Sequence, residues 1–188
     1  MNTTIRNRRS VYARQFSETQ QIPKEAILQA LESANWAPTH KKTQPWRFQV
    51  YTGAAMNRLI EVWTAIAKEN ASKKGEEWTE AMEAKFILFR RSSFIMAMAC
   101  HYTGQVPEVE ETCAAAAAIQ NFWLSLHEQG YGGFWSTGNG IFTQKIHDYL
   151  ELESNEKALG YFIAGVPEGV VPDSVRKPIT DFTRWLEE

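Results

Sequence analysis

One stretch, Thr112 to Gly138, leaves this chain few options. Ile119, Phe122, Trp123 and Leu126 recur at i, i+3, i+4 and i+7, the spacing of one face of an α-helix. The opposite side carries Ala114, Ala117, Ala118 and Asn121, small enough for another backbone to come close. A helix apolar on most sides is normally buried. This one is therefore expected at the centre of the domain or of a dimer, with Thr112 as its N-cap. Gly130 suits the C′ position, where a positive φ meets no Cβ clash. Phe134 and Trp135 predict a short strand, which Ser136-Thr137-Gly138 ends with hydroxyls and free backbone amides. Such a strand end can hold a polar ring edge; the same pattern also describes a core helix followed by an ordinary turn.

The rest of the chain supplies strands and helices to surround this unit. Phe94 to Cys100 is a continuous apolar run of strand length, suited to a central strand covered on both faces. Leu159 to Val166 is a second buried strand, in which Gly160 and Gly165 mark close approach of another backbone. Trp46, Phe48 and Val50 alternate with Arg47 and Gln49, a half-buried strand. Helices are expected after Pro23 (Ile27, Leu31, Ala34), after Gly53 (Leu59, Val62, Trp63, Ile66) and over Thr143 to Leu150. The outcome is one α+β domain spanning residues 1–188, with helices around a small mixed or antiparallel sheet. A charged helical excursion at about 68–91 is partly exposed and could cover a pocket or simply face solvent. A C-terminal tail from about 168 carries Ile179, Phe182 and Leu186 as a weak helical stripe and suits packing on a partner subunit.

Composition narrows the function. At 188 residues with 44% hydrophobic content the chain can fill one core, and a net charge of -2 argues against a nucleic-acid binder. Cys100 and Cys113 lack CxxC or Cys/His spacing and read as reduced core thiols, with no metal site. No apolar run reaches the ~20 residues of a membrane span, and Met1 to Ser10 lacks the apolar core of a secretory signal. A cytoplasmic protein is the expectation.

Two segments hold unusual polar groups. Arg6, Arg8, Arg9 and Arg14 surround Ser10; they form either a solvated basic end or an anion clamp, since adjacent guanidiniums and a hydroxyl grip phosphate through charge-assisted bonds. The loop Trp36 to Trp46 is stiffened by Pro38 and Pro45 and made cationic by His40, Lys41 and Lys42.

Taken together, three pieces resemble the flavin-dependent nitroreductase family, in particular its short YdjA-like members. They are Arg8-Arg9-Ser10-Val11; Ala37-Pro38-Thr39 followed by Gln44-Pro45-Trp46-Arg47-Phe48; and Ala118-Ile119-Gln120-Asn121, Gly130-Tyr131-Gly132, Trp135, Leu159-Gly160-Tyr161 and Gly165-Val166-Pro167. Their order and spacing match from the first residues to about Pro167. Lys42 stands where many members carry asparagine, and Trp36 replaces an arginine of close relatives.

The resemblance implies a nitroreductase-like fold and an interlocked homodimer binding FMN in the subunit interface. Arg8, Arg9 and Ser10 would hold the phosphate and ribityl end. Trp135, Ser136 and Thr137 would lie along the flavin from the same subunit, and Trp36 and His40 would reach it from the other. Arg176, two before a proline, matches a phosphate-binding arginine of longer relatives. The implied activity is NADH- or NADPH-driven ping-pong reduction of nitroaromatic or related small acceptors, with no protein residue assigned as catalytic. Enone reduction, reductive dehalogenation, flavin cleavage and a non-catalytic flavin-binding sensor are the alternatives.

Overall fold

The apolar run beginning at Phe94 becomes an inner strand, and the molecule is layered on either side of it. The computed structural model describes residues 3–138 and 140–187. The elements are α1 (Thr3–Asn7), α2 (Lys24–Asn35), β1 (Trp46–Tyr51), α3 (Gly53–Lys73), α4 (Glu80–Leu88), β2 (Phe94–His101), α5 (Glu108–Glu128), β3 (Gly132–Ser136), α6 (Gln144–Tyr149) and β4 (Glu156–Gly165), with short 3₁₀ turns between some of them. The strands form one sheet in the order β1-β2-β4-β3. Each neighbouring pair of strands is antiparallel, which resolves the mixed-or-antiparallel expectation.

Because successive side chains point to opposite faces of a strand, β2 feeds two cores. Ile95 and Ala97 join Leu59, Ile60 and Trp63 of α3 on one face. Phe94, Met96, Met98 and Cys100 join Ala30 and Ala34 of α2 and Ala115, Ala118 and Phe122 of α5 on the other. Of the small residues expected to allow close approach, Ala118 is fully buried and Ala114 nearly so, whereas Ala117 and Asn121 are half-buried; Ala30 and Ala34 of α2 and Ala115 of α5 are also fully buried where α2 lies against α5. The charged segment after α3 is anchored by two aromatics. Phe89 stacks on Trp63 at 5.1 Å and Phe86 meets it edge-on at 5.3 Å.

Four sequence expectations are corrected. The central helix begins at Glu108 rather than Thr112, with Pro107 at its N-cap. Thr112 lies inside it, its hydroxyl donating to the Glu108 carbonyl at 2.9 Å, and the acids Glu108, Glu110 and Glu111 fill the first turn. They favour that helix end electrostatically, so a polar stretch that looks like loop is already helix. Cys113 faces outward and is exposed; only Cys100 is a core thiol, its pKa pushed up to about 11 by burial. Val50, near the end of the edge strand β1, is exposed although it shares the alternation of Trp46 and Phe48. The tail stripe forms only a 3₁₀ turn at Ile179–Phe182, with Phe182, Trp185 and Leu186 exposed.

Strand β4 carries a bulge. Met98 pairs with Gly160 and Ala99 with Ala158, so Leu159 is the extra residue. Its carbonyl accepts the Trp135 indole N–H at 2.8 Å. Gly160 adopts φ +132, and a Cβ there would fall 2.6 Å from both the Ser136 carbonyl oxygen and Trp135 Nε1. The glycine is what lets β3 and β4 close over this point.

Candidate functional site

After α1 the chain runs alongside β3. Ser10 bridges to Gly133, and the Val11 amide donates to the Gly133 carbonyl at 3.1 Å. The contact depends on Gly132, where a Cβ would lie 2.7 Å from the Val11 Cβ. This docking fixes the arginines. The Arg8 guanidinium lies 4.1 Å from the centre of the Trp123 ring on α5. Arg9 donates through Nη1 to the carbonyls of Arg6 (2.6 Å) and Arg8 (3.0 Å), and its Nη2 pairs with Asp173.

The cluster is short of acceptors. Arg8 Nη1 and Arg9 Nε are buried without a hydrogen-bond partner among the described residues. Buried polar atoms are nearly always satisfied, so each points to a missing acceptor. The Arg8 pKa is lowered, first by burial and then by the positive charges of Arg176 and Arg9. Two adjoining hollows of about 290 and 870 Å³ share Arg8, Arg9, Asp173, Ser174 and Arg176, and the smaller also takes in Ser10, Tyr12 and Arg14. Three guanidiniums and a serine from opposite ends of the chain thus line one space, suited to a multiply charged anion. Asp173 is the one acid among the described residues lining the two hollows, and its carboxyl is held below the ordinary range, chiefly by its hydrogen bond to Arg9.

The far end of β3 is close by. Ser136 follows the bridge residue Gly133 by three positions, roughly 10 Å of strand. The side-chain hydroxyls of Ser136 and Thr137 make no hydrogen bond among the described residues, and Thr137 is exposed. Trp135 forms a wall instead of a free donor, since its indole N–H is committed to Leu159 and its ring packs against the α5-side core.

Trp36 and His40 sit elsewhere. Trp36 is 80% exposed and its indole donates to Glu32 at 3.2 Å. His40 Nδ1 pairs with Glu110 Oε2 at 2.6 Å, and Lys41 Nζ donates to the Gln105 carbonyl at 2.9 Å. The loop that carries them is strained, with Lys41, Lys42 and Gln44 at φ 51, 57 and 45. Glu110, beneath His40, and Trp123, beneath Arg8, are thirteen residues apart on α5, roughly 20 Å along the helix. One chain therefore brings Arg8, Arg9, Ser10 and Arg176 together but leaves Trp36 and His40 at the other end of the same helix.

Sequence reasoning missed three members of this neighbourhood. Trp123 reads as core but serves as the platform under Arg8. Asp173 has no local motif. His127, one turn beyond Trp123, lines a hollow with Arg9 and Asp173; its pKa is lowered by burial and then by Arg8 and Arg9. The i, i+4 spacing from Trp123 was the available signal. A further cluster, His101, Glu153 and Glu156, brings ligand-type atoms within 4.8 Å of one another. It reads as an ion-pair network, because Arg47 Nε lies 3.3 Å from Glu156 and Asn155 lies 3.3 Å from His101 Nε2. Among the described residues, no helix is long and apolar enough to cross a membrane.

Comparison with known proteins yields one family. Residues 5–166 match the family model described as the nitroreductase family. The chain is 29% identical over 179 residues to YfhC of Bacillus subtilis, provisionally named an NAD(P)H nitroreductase, covering 94% of this chain and 89% of that one. It is 25% identical over 155 residues to the similarly named YdjA of Escherichia coli, covering 82% of each. Among solved structures, one from Desulfovibrio desulfuricans, provisionally named a nitroreductase and crystallised in complex with FMN, superposes with a TM-score of 0.73 at 25% identity, covering 100% of this chain and 98% of that one.

Proposed function

The chain belongs to the nitroreductase family, and on that premise we propose that it is an FMN-dependent oxidoreductase that uses NADH or NADPH to reduce nitroaromatic or related small electron acceptors. The observation carrying this reading is the arginine hollow with its two orphaned guanidinium nitrogens, about one strand-length from two unengaged hydroxyls. A phosphate of about -1.5 to -2 charge supplies the acceptors that Arg8 and Arg9 lack, with Arg176 and Ser10 beside it. In this reading Ser136 and Thr137, farther along β3, face the polar edge of a ring tethered to that phosphate. When bound, FMN supplies the hydride chemistry that couples the nicotinamide donor to the acceptor.

The protein's own part is to bind, orient and exclude water. Arg8, braced on Trp123, and Arg9, braced on two carbonyls, are held before the ligand arrives, so little side-chain freedom is lost on binding. Backbone and hydroxyl donors at Ser136 and Thr137 favour negative charge at the ring edge. Trp36 and His40 come from a second copy in this reading, which makes the working unit a homodimer with the site in its interface. A buried free thiol at Cys100 suits a reducing compartment such as the cytoplasm.

The test is the absorbance spectrum of the purified protein. A flavin band is expected, and R8A/R9A is expected to lose it while the far-ultraviolet circular dichroism is unchanged. A colourless protein that takes up no added FMN overturns the proposal.

A further inference from the structure

A separate cavity of about 540 Å³ lies on the α3 side of the sheet, between the end of α3, α4 and the loop after β3. Its size is that of a small-molecule pocket. The floor is apolar: Ala67, Ala71 and Phe86 are buried, with Trp78 and Met82 beside them. The Trp78 indole is oriented from two sides, by its hydrogen bond to Glu83 at 2.7 Å and by Lys68 Nζ 5.6 Å from its ring. The rim is cationic, with Lys73, Lys74 and Lys85 against the single acid Glu76. Lys73 is paired with Glu69 at 2.8 Å, whereas Lys74 and Lys85 have no ion pair among the described residues.

One wall ties this cavity to the strand end. Gly140 has φ +84, and a Cβ there would lie 2.5 Å from Asn70 Nδ2, so the loop after β3 is held tightly on α3. Gly140 stands three residues beyond Thr137, no more than about 10 Å along the chain. A residue of the cavity wall is thus tethered to the hydroxyl-bearing end of β3 by a short length of chain.

We infer that this cavity binds a small aromatic carboxylate, its ring among Trp78, Met82 and Phe86 and its charge facing Lys74 and Lys85. A neutral arene gains only the apolar floor, and a bare inorganic anion gains only the rim; an aromatic acid matches both. Resting on the flavin reading above, nitroaromatic acids are then the favoured acceptors. The first two-electron step converts the nitro group to nitroso: NAD(P)H gives up one hydride and solvent one proton, the bond from nitrogen to one nitro oxygen breaks, and that oxygen leaves as water carrying both hydrogens, for a net consumption of one NAD(P)H and one proton.

Calorimetric titration of the purified protein with benzoate and with its neutral isostere benzamide tests the binding. Benzoate is expected to bind about tenfold more tightly. K74E/K85E is expected to abolish that preference and leave benzamide within about twofold. Equal binding of the two probes, or a preference unchanged in K74E/K85E, overturns the assignment. Flavin absorbance is recorded on the same samples. A protein that takes up no added FMN yet shows a benzoate preference lost in K74E/K85E sinks the flavin reading and keeps the cavity assignment; a flavin-loaded protein with no preference sinks the cavity assignment alone. In turnover, kcat/KM for 4-nitrobenzoate relative to 4-nitrobenzamide is expected to fall about tenfold in K74E/K85E, and an unchanged ratio removes the acceptor role.

Discussion

At the level of single residues, the site is a balance of like charges held close together. Arg8, Arg9 and His127 face the same region, and the positive field of the two arginines adds to burial in keeping His127 neutral. A histidine whose pKa is lower in the folded state than its ordinary ~6.5 binds a proton less readily there than in the unfolded chain. Its neutral form therefore costs nothing above that range, and stability falls as the pH drops through ~6.5 toward the depressed value. The melting temperature of the protein is expected to drop between pH 8 and pH 5.5 by more than that of H127N. Equal drops in the two proteins would show that His127 does not titrate against this field. Inorganic phosphate in the arginine hollow should raise the His127 pKa, read from its ring proton resonances, because it cancels the charge that holds the proton off.

At the level of elements, β3 is the strand on which the site depends, and glycine governs its contacts. Gly132 admits the arginine segment and Gly160 admits the Trp135 indole, each by lacking a Cβ. Replacing Gly160 with alanine places a methyl group 2.6 Å from a backbone oxygen at a φ that side chains rarely adopt. G160A is expected to lose about 1–3 kcal/mol in urea denaturation and to release the Trp135 indole N–H to faster hydrogen exchange. A stable G160A with unchanged exchange would mean that the bulge, not the missing Cβ, sets this geometry. Pattern also explains where element boundaries were legible. Periodic apolar segments located α3, β2 and β4, whereas the first turn of α5, built from acids, carries no apolar period and looked like loop.

For the whole molecule, what one chain leaves open is most informative. Trp36 and the tail residues Phe182, Trp185 and Leu186 are each more than two-thirds exposed, an unusual outlay of large apolar surface for a monomer. Combined with the separation of His40 from the arginine hollow along α5, this favours assembly of two copies. Light scattering is expected to give twice the 21.5 kDa chain mass. F182S/W185S/L186S is expected to shift the particle toward the single-chain mass, and to weaken flavin retention with it. A flavin-saturated particle of single-chain mass would rule out the shared site.

Much of the architecture was written in local order. Alternation and 3.6-residue periodicity specify strands and helices through short-range geometry, whereas Arg8-Arg9-Ser10 and Ser136-Thr137 were joined into one candidate site only by the family resemblance. Partners distant in sequence were not legible. Asp173 and Arg176 meet Arg8 and Arg9 only because the tail folds back across the chain's beginning, and Trp123 becomes a cation platform only because α1 and the segment after it lie over α5. Sequence spacing encodes which face a side chain takes; which charges share a hollow, and which of them lack a partner, is decided by packing between elements far apart along the chain.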